Sequence, residues 1–317
     1  MNKIYTTVWC ESRQQWMVTS ELATGSGRPK LTPKKSALAL LLGAVLLPSG
    51  PAMSVDYVGV TVDVNTTGPQ ILYSGDTATD TTITTGSYQR ISSGGKATIT
   101  TINGGSQRVS SGATAASTIL NISGVQNVLH GGSATSTTIN SGGAQNVSSG
   151  GSVTSTTINN GGNQYVYNGA TATSTIISGS FSSQHLSGGI ANNTTIHSGG
   201  RQSVYAGSEA TSTTIHNAGF QNIFSGGSAV FTTIGGRQLV SMGGSTIFTT
   251  IEGGSQLVYS GASATSTTIN SGYQNVSSGG SATATTINNG GSQNVFGEVK
   301  STTINSGGYQ YVSGGGS

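Results

Sequence analysis

The sequence predicts an all-β protein, a right-handed parallel β-helix (β-solenoid) of about 14 coils with 17–20 residues in each. A phrase of nineteen residues recurs with small changes from about residue 65 to residue 317. Glutamines and aliphatic residues recur in step with it, and glycine pairs separate short runs rich in Thr, Ile and Val. Copies this short cannot each enclose a core, so they must stack and share one.

Two rows of residues define the repeat. The first is a glutamine followed two residues later by Leu, Ile or Val; its members are Gln70, Gln89, Gln107, Gln126, Gln145, Gln164, Gln184, Gln202, Gln221, Gln238, Gln256, Gln274, Gln293 and Gln310. The second is an isoleucine, usually after two threonines; its members are Ile83, Ile102, Ile119, Ile139, Ile158, Ile176, Ile196, Ile215, Ile234, Ile251, Ile269, Ile287 and Ile304. We therefore expect two short strands in each coil, with glycine supplying the positive φ at every corner.

The glutamines are predicted to point inward. Side chains alternate along a strand, so Gln145 faces the same way as the aliphatic Val147. A buried amide without partners costs about 1–3 kcal/mol, so each glutamine should bond to the next coil or to corner backbone. The alternative is a glutamine that caps a corner at the surface.

Composition excludes several functions. Charged residues make up 7% of the chain, against about 25% in ordinary globular proteins. From residue 55 onward, six basic and seven acidic residues nearly cancel, so nucleic acid is not expected as a partner. The acidic residues occupy unrelated repeat positions, which offers no paired acid and base, so we predict neither an enzyme nor a cofactor.

No metal site is predicted either. His197 and His216 stand where other repeats have Asn, which indicates exposed corner substitutions, and His130 and His185 share no spacing with them. Calcium-binding solenoids carry aspartate within a glycine-rich corner motif that this repeat lacks. Arrays of threonine also resemble ice-binding solenoids, a third alternative that the export signal disfavours.

The first 54 residues are predicted to be an extended signal peptide that is removed. An apolar stretch over residues 36–47 follows the basic residues 28–35, and twelve residues suit a signal peptide better than a membrane span. Cleavage is expected between Ser54 and Val55, with Ala52 as the second choice. Residues 55–64 would then be a lead-in and residues 65–317 the repeat region.

The opening of the chain resembles the extended signal peptides of Gram-negative type V secretion proteins. The resemblance is carried by residues 1–5, by Trp9 and Trp16, and by residues 20–23. It implies export through the periplasm to the cell surface or outer membrane, or secretion.

The repeat resembles that of AIDA-type autotransporter adhesins, through phrases such as residues 138–143 and 145–151. This family implies a right-handed β-helical passenger, adhesion to host cells, autoaggregation with other copies, and modification of serines by a cytoplasmic heptosyltransferase. Its members end in an outer-membrane barrel. We expect the present sequence to be an N-terminal fragment whose barrel belongs to the same parent chain.

Serines followed by two glycines are the candidate sugar acceptors, because a small residue in a glycine turn is sterically open. They are Ser93, Ser141, Ser149, Ser187, Ser198, Ser225, Ser278, Ser306 and Ser313. The alternative is that these hydroxyls only satisfy turn hydrogen bonds. Two functions stay open: a glycosylated adhesin that binds host surfaces or its own copies, or a passive glycosylated stalk that spaces another binding region from the cell.

Overall fold

The computed structural model describes residues 5–10, 15–20 and 53–317, which consist of strands, turns and bends. The chain forms two compact units, Met1–Ala52 and Met53–Ser317. The boundary between them is close to the predicted cleavage site, whose use stays a prediction.

The first unit contains an antiparallel hairpin of β1 (Tyr5–Cys10) and β2 (Gln15–Ser20), in which the backbones of Trp9 and Trp16 are paired. The predicted hydrophobic segment of the signal and its basic flank, residues 28–47, lie outside the described residues. Within the described part of the chain, no helix is long and apolar enough to cross a bilayer.

The second unit is one parallel sheet of 35 strands wound into a solenoid, and we call each full turn of the chain a coil. Its strands begin with β3 (Asp56–Val58), β4 (Thr61–Val62), β5 (Gln70–Leu72), β6 (Thr77–Ile83), β7 (Tyr88–Ile91), β8 (Lys96–Ile102), β9 (Ser106–Val109), β10 (Thr114–Leu120), β11 (Val125–Val128), β12 (Ser133–Thr135), β13 (Thr138–Ile139) and β14 (Ala144–Val147). They continue with β15 (Ser152–Thr154), β16 (Thr157–Asn159), β17 (Asn163–Tyr167), β18 (Thr171–Thr173), β19 (Ile176–Ser178), β20 (Ser183–Ser187), β21 (Ile190–Asn192), β22 (Thr195–Ile196), β23 (Arg201–Val204), β24 (Glu209–Thr211), β25 (Thr214–Ile215) and β26 (Phe220–Ile223). They end with β27 (Ser228–Val230), β28 (Thr233–Ile234), β29 (Arg237–Val240), β30 (Ser245–Val258), β31 (Ser263–Val276), β32 (Ser281–Thr283), β33 (Thr286–Ile287), β34 (Gly291–Val295), β35 (Glu298–Lys300), β36 (Thr303–Ile304) and β37 (Tyr309–Val312).

Each coil has three strands, which we name the glutamine, alanine and isoleucine strands after their inward residues. In one coil these are β14, β15 and β16. Each strand pairs in parallel with its equivalent in the next coil, as β11 does with β14. The sequence predicted two runs in each coil; the third strand was missed because its inward residue is usually alanine and not the Leu, Ile or Val that marked the two predicted rows. The solenoid also begins earlier in the chain than predicted, because β3 and β4, which lie in the expected lead-in, already pair with β6.

The corner between the alanine and isoleucine strands contains glycine only in the first coil, where Gly59 has φ 66°; from β6 onward it contains none. A single residue of another type has a positive φ there, such as Ser136 with φ 55° or Phe231 with φ 56°. The set is Asp80, Ile99, Ser117, Ser136, Ser155, Ser174, Asn193, Ser212, Phe231, Phe248, Ser266, Ala284 and Ser301. The expectation of glycine at every corner is therefore wrong for one corner in three. One left-handed residue turns the strand without a loop, and the strain of about 1–3 kcal/mol at each persists because stacked coils hold it.

The core consists of three aliphatic columns. Valines of the glutamine strands and alanines of the alanine strands form one cluster, with Val147 and Ala172 both fully buried. The isoleucine column forms a second cluster that includes Ile139 and Ile158.

Two residues assigned to the isoleucine row from sequence are wrong. Ile119 and Ile176 are 39% and 42% exposed, whereas Leu120 and Ile177 beside them are fully buried. At both places two apolar residues are adjacent, and the column takes the second. Ile304 belongs to the row but is exposed in the last described coil.

The inward glutamines form a continuous hydrogen-bonded ladder, as predicted. Thirteen bonds join the fourteen side chains; in each, Nε2 of one glutamine donates to Oε1 of the glutamine one coil earlier, over 2.6–2.8 Å. From Gln89 to Gln293 these side chains are 0% exposed. The alternative of a surface cap is therefore excluded.

A buried threonine adds a hydrogen bond to nine of the fourteen amides, which sequence analysis did not foresee; the amides without one are Gln70, Gln89, Gln221, Gln238 and Gln310. Gln126 donates to Oε1 of Gln107 at 2.7 Å and to Oγ1 of Thr118 at 3.1 Å. It accepts from Thr137 at 3.1 Å and from Gln145 at 2.6 Å. Both amide hydrogens and both carbonyl lone pairs are thus used. The glutamine–threonine bonds cross the coil and separate the valine–alanine cluster from the isoleucine column.

In the first coil, the turn between β5 and β6 contains the buried carboxylate of Asp76, at a position where later coils have a small residue. Backbone N–H groups of Tyr73 and Val55 donate to Asp76, each at 2.8 Å, and they hold the pKa of this carboxyl below its ordinary value. A carboxyl whose pKa is lowered in the folded state stabilises the fold above its unfolded pKa, about 3.9, and this stabilisation is lost as pH falls through the folded value.

We therefore expect Asp76→Asn to lower the melting temperature at pH 7 and to weaken the further loss on acidification. The measurement is thermal unfolding of both proteins at pH 7 and at pH 2–3. Parallel pH profiles for the two proteins would contradict this role of Asp76.

Candidate sugar-acceptor turns

Two glycine turns occur in each coil. The first joins the glutamine strand to the alanine strand, as in residues 148–151, and the second joins the isoleucine strand to the glutamine strand, as in residues 140–143. The turns stack through backbone hydrogen bonds: Gly112 donates to Gly131, and Gly131 to Gly150, both at 2.9 Å. These glycines have φ of 69–74°, a conformation that other residues rarely adopt.

Glycines of this row lie over a side chain of the preceding coil, which is a serine below Gly112, Gly131 and Gly169 and a histidine, His130, below Gly150. A Cβ atom added to Gly112 would come 2.8 Å from Oγ of Ser93, and one on Gly169 would come 2.9 Å from Oγ of Ser149. Any side chain at these positions would meet the hydroxyl. The glycine therefore keeps the space above the serine open as well as forming its own turn.

The nine predicted serines fall into both turns. Those of the first turn are Ser93, Ser149, Ser187, Ser225, Ser278 and Ser313, and those of the second turn are Ser141, Ser198 and Ser306. All are exposed except Ser313, which is half-buried. Ser187 pairs with Tyr167, which is the first residue of its own turn, so Ser187 is also the first residue of a turn. The turn at Ser187 is one residue shorter than the turn at Tyr167. Ser313 also holds the first position, since its N–H bonds to Val295 as that of Ser277 does to Val258.

The candidate hydroxyls take no part in turn hydrogen bonding. Within residues 53–317, the serine hydroxyls that form hydrogen bonds are those of Ser178, Ser182 and Ser208, and none of the nine candidates is among them. This disfavours the alternative that they serve only the turn.

Sequence reasoning missed two further groups of exposed serines. Ser74, Ser111 and Ser260 occupy the same turn position as Ser93 but are followed by Gly and then Asp or Ala. Counting from the preceding glutamine would have found them. The second group stands at the left-handed corners, each directly before a threonine; its exposed members are Ser117, Ser136, Ser155, Ser174, Ser212 and Ser301.

A second amide ladder lies outside the core, at the start of the second turn. Asn121 donates to Asn103 at 2.8 Å and Asn140 to Asn121 at 2.9 Å. His197 and His216 occupy this row, are exposed as predicted, and stack with ring centroids 4.7 Å apart. Within residues 53–317 there is no group of three or more His, Cys, Asp or Glu side chains placed to hold a metal ion.

Two segments of the sequence match known families. Residues 1–50 match the family described as the extended signal peptide of the type V secretion system. Residues 102–143 match the family described as an adhesin of the bacterial autotransporter system, probable stalk.

Relatives and a solved structure agree with these matches. The chain is 50% identical over 91 residues to the autotransporter CRAC of Citrobacter rodentium, and 47% identical over 90 residues to the autotransporter adhesin/invasin TibA of Escherichia coli O78:H11. Each match covers 28% of this chain but only 6% and 9% of those proteins, so the chain spans a small part of their length.

A crystal structure of a TibC-catalysed, hyper-glycosylated TibA55-350 fragment superposes with a TM-score of 0.79 and 46% identity, over 83% of this chain and 99% of that fragment. A match of this extent indicates that the two proteins have the same fold and a common ancestor. The leading segment, residues 1–50, matches that of exported proteins. The chain therefore belongs to the AIDA-type autotransporter adhesins, whose passengers reach the Gram-negative cell surface by type V secretion.

Proposed function

We propose that the chain is an adhesin passenger whose turn serines accept sugar from a bacterial autotransporter heptosyltransferase. The carrying observation is the row of exposed, unbonded hydroxyls with glycine above them, of which Ser93 and Ser149 are examples. The match to a hyper-glycosylated fragment of 46% identity supports it.

The transfer is a substitution at the anomeric carbon of a nucleotide-activated heptose. The Oγ–C1 bond forms, the bond from C1 to phosphate breaks, the nucleotide leaves with the electron pair, and a base of the transferase takes the serine proton. The chain supplies only the acceptor oxygen. Sugars on the turns also supply hydrophilic groups to a surface with few charges, which keeps the modified rods in solution.

The adhesive role follows from the regular outer rows. Stacked coils repeat the same hydroxyl and amide groups about every 4.8 Å, so two rods, or a rod and a host surface, can add many weak contacts. We propose adhesion to host cells and autoaggregation on this basis. The second candidate is a passive stalk, which the description of the matched family as a probable stalk favours.

The acceptor role is tested by intact mass of the exported protein, made with and without the heptosyltransferase. We expect a series of heptose increments only with the enzyme. Ser149→Ala should lower the largest count by one, because its hydroxyl is the acceptor; alanine already occupies this turn position at Ala206. A single unmodified mass would refute the proposal.

Adhesion is tested with beads that carry the exported protein with or without sugar. Clumping of the beads, or binding to epithelial cells, supports the adhesin. Beads that stay dispersed and unbound in both forms support the stalk instead.

A further inference from the structure

Aromatic side chains concentrate on the outer side of the glutamine strands β17, β20, β23 and β26. The rings of Tyr165 and His185 stack with centroids 5.1 Å apart, and those of Tyr205 and Phe224 stack at 4.7 Å. His185 and Tyr205 connect the two pairs at 6.4 Å. In the other coils, Ser or Asn holds half of these outward positions and aromatic residues are scattered, so the four successive coils with aromatic residues depart from the rest of the repeat.

The stack has a gap at Ser203. Ser203 pairs with His185 of the coil before it and with Asn222 of the coil after it. His185 and Asn222 are thus two coil spacings apart, about 9.6 Å, and Ser203 between them, which carries no ring and is only 3% exposed, forms the floor of the gap. A depression of about 510 Å³ lies here, with Arg201 and Phe220 on one side and Tyr205 on the other.

The charge of this surface is positive. Arg201, Phe220 and Arg237 are consecutive in the row before the glutamines, so two guanidinium groups flank one ring. The glutamine strands from β17 to β29 carry no carboxylate. Within residues 53–317 the ion pair present is Lys300 with Glu298, which leaves Arg201 without an acidic partner. Burial and the charge of Arg201 lower the pKa of His185, so the imidazole is neutral at pH 7.

We propose that the groove at Ser203 binds one sugar unit of an acidic glycan. The pyranose ring lies in the gap beside His185 and above Ser203, its carboxylate accepts the paired N–H groups of Arg201, and one of its hydroxyls bonds to the amide of Asn222. A few polar groups on an otherwise aromatic wall suit a ring with an apolar face and a polar rim. Arginine is the side chain that matches a carboxylate with two parallel bonds.

Other ligand classes fit less well. A peptide would add as a strand to an open sheet edge, but the strands here are already paired with coils on both sides. Two arginines are too few for the phosphate contacts of a nucleic acid. A neutral sugar, such as a heptose on a second copy, leaves Arg201 unused.

The test is calorimetric binding of an oligogalacturonate to the exported protein made without the heptosyltransferase, with the carboxyl-reduced neutral oligosaccharide as the second probe. We expect the acidic probe to bind about tenfold more tightly, the effect of one charge-assisted pair. Arg201→Gln should remove this preference, and Ser203→Tyr should abolish binding of both probes by filling the gap. Tyrosine is native to this row at Tyr165 and Tyr311, so the fold accommodates it.

The matched control is Asn146→Tyr, in the same row three coils earlier, which should leave binding unchanged. Absence of binding by either probe would overturn the proposal. Equal affinity for the two probes, or a Ser203→Tyr protein that binds like the original, would do so too. These outcomes are independent of sugar transfer to the turn serines.

Discussion

Gln126→Met is expected to lower the free energy of unfolding by about 2–5 kcal/mol. Methionine has a similar length and fills the same space, but it removes the four hydrogen bonds of this amide. The hydroxyl of Thr137 and one amide hydrogen of Gln145 would then be buried without an acceptor. Urea unfolding followed by circular dichroism measures the loss, and hydrogen exchange should show it centred on β9, β11 and β14.

The matched control is Asn127→Leu, on the outward side of the same strand. Leucine is native to this row at Leu239 and Leu257, and only the bond from Asn146 at 3.0 Å is lost. We expect a change within about 1 kcal/mol. Equal costs for the two substitutions would mean that the glutamine ladder adds no more than a surface contact.

Ile177→Ala is expected to cost about 2–5 kcal/mol, because it opens a cavity in the isoleucine column. Ile176→Ala, one residue earlier, should cost less than about 1 kcal/mol, since that side chain is 42% exposed. Thermal or urea unfolding of the two variants distinguishes them directly. The reverse order of effects would place Ile176 inside and contradict the register of the isoleucine column.

The sequence contained the repeat, the strand type and the inward glutamine because each is a local pattern copied many times. The error at Ile119 and Ile176 arose because two apolar neighbours competed for one position. Thirteen residues separate Gln126 from Ile139, and the same count from Gln107 or Gln164 reaches Leu120 or Ile177. At these two places the distance from the ladder identifies the core residue; Ile196 follows Gln184 by only twelve residues, because the turn at Ser187 is one residue shorter.

The threonine partners and the left-handed corners depend on geometry that no single repeat displays. Thr137 follows Gln126 by eleven residues and meets it only after the chain has turned twice. Ser136 and Phe231 adopt the same corner conformation although one side chain is small and polar and the other is large and apolar. Stacking holds these residues in place, so residue type alone does not predict the corner.

The candidate sites likewise divide into those that a local pattern reveals and those that only the register between coils reveals. Serines before two glycines were found because glycine is a local signal, whereas Ser111 and Ser260 needed the coil register. The groove at Ser203 joins residues of three successive coils, and one of the intervening turns is a residue shorter at Ser187. Its assembly therefore becomes visible only when the coils are aligned.

The fold that buries the glutamines also exposes the turn serines. Site-resolved mass spectrometry of the exported protein, made with the heptosyltransferase, tests this arrangement most directly. We predict sugar on exposed turn serines such as Ser93 and Ser149. Four buried serines, with at most 8% exposure, should carry none, because a sugar there could not be accommodated in the coil; they are Ser87, Ser182, Ser208 and Ser255. Sugar on those buried serines in the folded protein, or on no serine at all, would contradict the account.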